Sequence, residues 1–326
     1  MNKKILFVAY GGGHINMILP IAKQCIFEGF KVDILGLTGA KLKTESEGLD
    51  CLGYKNFVSR EEEKIIFNAG ENLLNDNHNP DSGIDEKESL SYLGTNWLEN
   101  ETRYGKEFTK RIYSKAKRHS FLPINFLKKV LTKGNYDLLI TTNSPKSERA
   151  ALIAADHLNI KSIRLEDLFF DDNLKKEIIE MLGNDYYSTI GKFRSSPTKI
   201  FVMCEYTKRI YEEQKDILLL DTSQKDVVVT GQPILEKIHK NSIKSKIIEK
   251  KKDYEELILW AHQNDTIDAK EILNLLKNWL YKYSSRKKKL AFKFHPLENE
   301  VIKKNIIDQF KTINSNFIVI NDEDNI

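Results

Sequence analysis

The chain opens on KKILFVAYGGGHINMILPIAKQCIFEGFKVDILGLT, and this stretch constrains the fold more than any other. KKILFVAY is a short apolar run with a polar lead, the pattern of a strand buried in a parallel sheet. INMILPIAKQCIFEG carries apolar residues at helical spacing and stops at Gly29, a plausible C-cap residue. FKVDILGLT reads as a second strand. Residues 4–38 therefore read as a βαβ unit that opens an α/β domain.

The alternation returns later in the chain. YDLLITTN, KSIRLEDLF, TKIFVMCE and DVVVTGQP read as strands, and YTKRIYEEQ as a helix. SPKSERAALIAADHLNI reads as a helix with Ser144 at the N-cap and Pro145 at its first position. Such alternation argues for a doubly wound parallel sheet. Between the two halves of this pattern, KTESEGLDCLGYKNFV suggests a short helix and a strand. Segments near 60–74 and 88–118 look helical, and NDNHNPDSGID reads as a loop. A helical excursion over the sheet is expected there.

Residues 234–255 are Lys-rich and poor in large apolar side chains, and read as a linker plus helix. A second α/β pattern follows: strand ELILWAHQ, helix 266–283, basic turn SSRKKK, strand LAFKFHP, helix 298–311 and strand NFIVIN. The expected organisation is a Rossmann-like domain over 1–233, a linker over 234–255 and a partial second Rossmann-like domain over 256–326. A length of 326 residues suits two domains better than one.

Charge bounds the partners. With 51 basic and 47 acidic residues the net charge is only +4, so nucleic acid is not the default partner. KRIYSKAKRHS and KSKIIEKKK are basic stretches that suit either a solvated helix face or contact with anionic lipid at the inner face of a membrane. No apolar run of about 18 residues exists, so no membrane-spanning helix is expected. Cys25, Cys51 and Cys204 are widely spaced and read as reduced thiols of a cytoplasmic protein. No metal-ligand spacing and no G-x-S-x-G elbow stands out, and neither metal nor cofactor is expected.

Five segments can carry chemistry. Gly11, Gly12 and Gly13 at a strand-to-helix turn let backbone approach a ligand and point N–H groups at an anion; a tight turn is the other reading. The spacing is neither G-x-G-x-x-G nor a P-loop. His14 beside them can take a proton from a hydroxyl. In TTNSPKSERAA, Asn143, Ser144, Lys146, Ser147, Glu148 and Arg149 gather where a strand ends and a helix begins, the edge at which open α/β sheets bind ligands. Lys146 and Arg149 can meet phosphate or carboxylate, and Ser144 can do so or simply cap the helix. Glu166 and Asp167 follow another strand and suit a base, a hydroxyl-orienting carboxylate or a solvated acidic loop; adjacent strand residues point to opposite faces. Gly231, Gln232 and Pro233 read as a hinge. Lys293, His295, Pro296 and Glu298 end one strand of the second half, and His262 and Gln263 end its neighbour.

These features together resemble the GT-B glycosyltransferases, in which two Rossmann-like halves face each other across a cleft. The opening FVAYGGGHINMILPIAKQCIFEGFKVDILGLT is similar to the start of such enzymes, where a histidine after the glycine loop often serves as the base; His14 occupies the matching place. KFHP resembles the His-Pro motif of bacterial polysialyltransferases and teichoic-acid-type polymerases, which implies that His295 contacts the donor phosphate. The resemblance implies a sugar nucleotide as donor, a glycan or lipid-linked acceptor and a role in bacterial surface polysaccharide synthesis. His14 is then the first choice of base and Asp167 the second. GT-B second domains usually continue for about 60 to 100 more residues than are present after residue 256, so the second half reads as incomplete. Two rival functions stay open: a sugar-nucleotide 2-epimerase, which needs several cleft carboxylates, and an inactive or glycan-binding protein of the same fold.

Overall fold

The computed structural model describes residues 3–144, 146–166, 193–214, 226–235, 256–261, 269–283, 288–294, 300–313 and 317–320. The chain divides into two compact units, Met1–Lys237 and Ile238–Ile326. In the first unit β1 (Lys4–Tyr10), α1 (Gly12–Phe27) and β2 (Lys31–Leu37) form the expected βαβ unit. β3 (Leu138–Thr141), α7 (Ser147–His157), β4 (Lys161–Leu165), β5 (Lys199–Val202), α8 (Glu205–Gln214) and β6 (Val227–Val229) complete a parallel sheet in the order β2-β1-β3-β4-β5-β6.

The apolar strand residues explain why the sheet is covered on both sides. Successive β1 side chains point to opposite faces. Leu6 and Val8 pack with Leu35, Leu37, Leu139 and the helix residues Leu127 and Leu152. Ile5, Phe7 and Ala9 pack with Ile34, Ile140 and the α1 residues Ile15, Ile18 and Ala22. The strand order reverses direction at β1. β2 lies on one side of it and β3 on the other, with Val8 in register with Leu35 and with Thr141. Connections leave β1 and β3 toward opposite faces of such a sheet, so a crevice opens at their carboxyl ends.

The excursion between β2 and β3 is helical, as expected, with more elements than the sequence suggested. α2 (Gly39–Ser46), α3 (Arg60–Asn77), α4 (Glu86–Tyr104), α5 (Lys106–Ala116) and α6 (Ile124–Gly134) follow in order. The expected helix over 88–118 is broken at Gly105, whose φ of +80° only glycine adopts cheaply. The strand expected after α2 is reduced to one bridge between Leu35 and Leu52. α3 begins at a capping box in which Ser59 and Glu62 exchange hydrogen bonds with each other's backbone N–H.

Two local expectations are corrected. Gly12, Gly13 and His14 lie within the first turn of α1, and only Gly11, at φ +87°, is outside it. Ser144 does not cap α7, because the helix starts at Ser147 with Lys146 at its N-cap.

In the second unit β7 (Glu256–Ala261), α9 (Ala269–Tyr283), β8 (Lys288–Lys293), α10 (Glu300–Lys311) and β9 (Phe317–Ile320) form a parallel sheet in the order β7-β8-β9. Phe292 is the centre of its core and meets Trp260 edge-on at 5.4 Å and Phe310 at 4.7 Å. Most of the segment read as a linker, 236–255, lies outside the described residues. Among the described residues no helix is long and apolar enough to cross a membrane.

Close backbone approach joins α3 to α4. A Cβ on Gly94 would stand 1.8 Å from the Ile66 carbonyl oxygen, and one on Gly70 2.7 Å from that of Leu90. Alanine at position 94 gains about 1 kcal/mol of helix propensity. It must also push two helices apart, which costs about 3 kcal/mol. Gly94→Ala is therefore expected to lower the denaturant midpoint of unfolding, and an unchanged or raised midpoint would show that α3 and α4 slide freely.

Candidate active site at the carboxyl ends of β1 and β3

Glu148, in the first turn of α7, is wholly buried at the point where the strand order reverses. Its Oε1 accepts the Tyr10 N–H at 2.6 Å, from the last residue of β1. Its Oε2 accepts the Ser144 N–H and the Thr142 hydroxyl, each at 2.7 Å, from the segment just past β3. One carboxylate thus ties the ends of two strands that lie 138 and 4–6 residues away in sequence. Burial pushes its carboxyl up from the ordinary range, while the nearby His14 and these donors pull it back.

His14 is held by the same group at one remove. Its Nδ1 lies 2.5 Å from Thr142 Oγ1 and 3.8 Å from Glu148 Oε2. Thr142 has one hydroxyl proton, and it is directed at Glu148. The hydroxyl oxygen therefore accepts a hydrogen bond from the His14 Nδ1–H. This relay selects the imidazole tautomer with its proton on Nδ1 and its lone pair on Nε2, the form a general base requires. The His14 side chain is 26% exposed, so the ring reaches the surface from a buried anchor.

The glycines before it have different duties. Gly11 turns the chain at positive φ, and its N–H donates to the Leu37 carbonyl at 3.1 Å. A Cβ on Gly12 or Gly13 would meet nothing within 4 Å. Packing within the chain therefore does not demand glycine at either place. Their lack of side chains leaves open space over the amino end of α1, where N–H groups point outward.

Lys146 is 7% exposed, with its Nζ 4.1 Å from the centre of the Tyr10 ring. Glu166, at 2% exposed, accepts from Asn143 Nδ2 and from Arg164 Nη2, the latter at 3.1 Å. Glu166 is thus a buried, paired carboxylate rather than part of a solvated loop. Ser144 is 5% exposed, and its hydroxyl has no hydrogen-bond partner among the described residues. Arg149 is buried and donates from Nη2 to the Phe193 carbonyl.

The structure brings together Gly11, Gly12, Gly13, His14, Asn143, Ser144, Lys146, Glu148 and Glu166 at one sheet edge. Asp167, His262, Gln263, His295, Pro296 and Glu298 lie outside the described residues. Lys293 ends β8, in register with Ala261 and Ile320. Sequence reasoning missed Thr142, the middle of the relay. Its signal was a hydroxyl one residue past a strand end, legible only once β3 is known to pair with β1.

Burial lowers Lys146 from an ordinary 10.5 to about 8, helped by the nearby Arg118 charge and opposed by Glu148. Below about pH 8 the native state bears the full cost of a buried ammonium. Between about 8 and 10.5 the unfolded chain still holds the proton that the native state has released, so stability rises with pH. Lys146→Met removes this dependence. The variant is expected to exceed the wild type in stability at pH 7 by up to about 3 kcal/mol. That margin should shrink as pH approaches 10, as measured by denaturant unfolding at both values. A margin that does not change with pH would contradict the assignment.

No protein-family model matches the chain, and no curated protein matches it. Solved structures do. The S. aureus MnaA–UDP co-structure shares 12% identity at a TM-score of 0.56, with 98% of this chain and 68% of that one covered. The UDP-GlcNAc 2-epimerase from Neisseria meningitidis, bound to UDP-GlcNAc, shares 15% identity at a TM-score of 0.51, covering 97% and 71%. CalG4, the calicheamicin glycosyltransferase, shares 11% identity at a TM-score of 0.51, covering 98% and 70%. At such identities the likeness is one of fold, and the fold of this chain is GT-B, the architecture it shares with these structures, a UDP-GlcNAc 2-epimerase and a glycosyltransferase among them.

Proposed function

We propose that this chain is a glycosyltransferase that moves a sugar from a sugar nucleotide to a hydroxyl of a glycan or lipid-linked acceptor, in bacterial surface polysaccharide synthesis. The observation that carries the reading is the relay from Glu148 through Thr142 to His14, placed at the switch point of a GT-B sheet beside two side-chain-free residues. A hydroxyl acceptor must lose its proton as the new glycosidic bond forms. The relay prepares an imidazole for that proton and leaves a buried carboxylate nearby to stabilise the imidazolium.

The rest of the reaction follows from charge. The donor sugar passes through an oxocarbenium-like transition state, and the departing nucleotide gains negative charge. On this reading Lys293 and His295, with Pro296 and Glu298 beside them and His262 and Gln263 on the neighbouring strand, receive that charge. No metal is then required. Asp167 remains the second choice of base, and contact with the inner face of a membrane would bring a lipid-linked acceptor within reach.

The 2-epimerase reading has support from the neighbours' fold. It requires carboxylates able to shuttle protons. Among the described residues at this edge, Glu148 and Glu166 are both committed to internal donors. That commitment favours transfer to an acceptor.

Two measurements test the proposal. Incubation with UDP-GlcNAc, with and without a panel of saccharide acceptors, should release UDP in an acceptor-dependent way and yield a new glycoside by mass spectrometry. UDP-sugar epimerised at C2 without acceptor would favour the epimerase, and no turnover the binding protein. Glu148→Gln places an amide N–H toward Thr142 and reverses the relay, so kcat should fall about 10³-fold. Thr142→Val should fall about 10²-fold. Unchanged kcat in both would remove His14 from the base role.

A further inference from the structure

Two cations, Lys146 and Arg118, and the His119 imidazole lie near the proposed base, and no carboxylate forms a salt bridge with them among the described residues. Lys146 lies over one ring face of Tyr10, and the Tyr10 and Tyr92 rings are 6.3 Å apart. Arg118 and Tyr92 line the same cavity of about 130 Å³, together with Leu37 and Thr38 from the end of β2. The Leu37 carbonyl anchors Gly11, so this cavity adjoins the glycine turn. His119 follows Arg118, and its Nδ1 is buried without a hydrogen-bond partner among the described residues. Neither Lys146 nor Arg118 makes a salt bridge among the described residues.

The charges sense one another. Burial, then Lys146 and Arg118, lower the His119 imidazole to about 4, and Arg118 also disfavours the charged form of Lys146. Two carboxylates are near, and both are occupied. Glu148 serves the relay. Glu88, on the cavity wall, accepts the backbone N–H groups of Tyr54 and Lys55 at 2.6 and 3.1 Å. A buried ammonium held by a ring face and the nearby Glu148 charge, with no salt bridge among the described residues, is costly, and an apolar residue would pack there at less cost. Ser144, whose hydroxyl has no partner among the described residues, adds a neutral donor at the same edge. Such a set is complete only when an anion enters.

We propose that the space against Tyr10 and Tyr92 receives an acidic group of the acceptor saccharide, a carboxylate or a phosphate, clamped by Lys146 and Arg118 with His119 beside them. The proposal deepens the transferase reading by naming the acceptor as an acidic sugar. The cations fix which end of the sugar carries the acid. His14 then meets a hydroxyl of the same residue.

The test is binding by calorimetry to the full chain, with no donor present, so it stands apart from any test of turnover. The probes are glucuronic acid, glucose 6-phosphate and glucose at fixed ionic strength, with UDP as a separate arm. At least one acid is expected to bind about tenfold or more tightly than glucose, and which acid does so names the group. Lys146→Met and Arg118→Met should each erase that preference and leave UDP affinity unchanged, while Lys129→Met, remote on α6, should not. Equal binding of acids and glucose would overturn the proposal. So would a loss of UDP affinity with acid binding intact, since the cations would then serve the nucleotide. If Lys146→Met does not fold, the half-exposed Arg118→Met decides the matter alone. Failure here with acceptor-dependent turnover intact would leave a transferase for neutral acceptors.

Discussion

A single buried carboxylate organises the sheet edge on which everything else depends. Glu148 is sealed from solvent, and a sealed carboxylate is costly unless donors surround it. It finds them in the Tyr10 and Ser144 backbone and the Thr142 hydroxyl. Those donors belong to the two strands between which the chain order reverses. The need to satisfy one charge therefore fixes the mouth of the crevice, and through Thr142 it fixes the orientation and tautomer of His14. Structural and chemical roles are not separable at this residue.

The glycines at the start of α1 acquire a physical reason in this setting. Glycine weakens a helix, and two in the first turn are a departure from what stability favours. Gly11 has a conformational need, as its positive φ shows. Gly12 and Gly13 have none, and they face open space. Their place in a helix suits a surface against which a bulky polar ligand lies close. Lys146 tells a parallel story, since a buried cation over a tyrosine ring is also a local sacrifice of stability. Such sacrifices gather at binding sites more often than elsewhere.

The sheet was legible from the sequence because its strands are apolar runs bounded by glycine, proline and polar turns, and their spacing fits crossovers. His14 and the TTNSPKSE segment stood out because reactive residues followed strand ends. What escaped was set by tertiary contact. Thr142 looks like any hydroxyl in a polar turn until β3 is laid beside β1. α6 was passed over although Pro123 stands at its N-cap, because the excursion was read only as far as residue 118. Ser144 looked like an N-cap, but its N–H goes to Glu148 and the helix begins three residues later. Glu166 suited a base, an orienting carboxylate or a solvated loop; it is buried, paired with Asn143 from the end of the neighbouring strand and with Arg164 on its own. Arg118 and His119 stood out only as part of the basic stretch KRIYSKAKRHS, and their nearness to Lys146 depends on how the helical excursion folds back.

The most direct measurement is the proton position on His14, read by long-range ¹H–¹⁵N correlation in the ligand-free protein near neutral pH. A relay led by an ionised Glu148 places the proton on Nδ1, and the spectrum should show the Nδ1–H tautomer with an unprotonated Nε2. A proton on Nε2 in the neutral ring would mean that Thr142 donates to the histidine, that Glu148 does not prepare a base, and that this sheet edge must act in some other way.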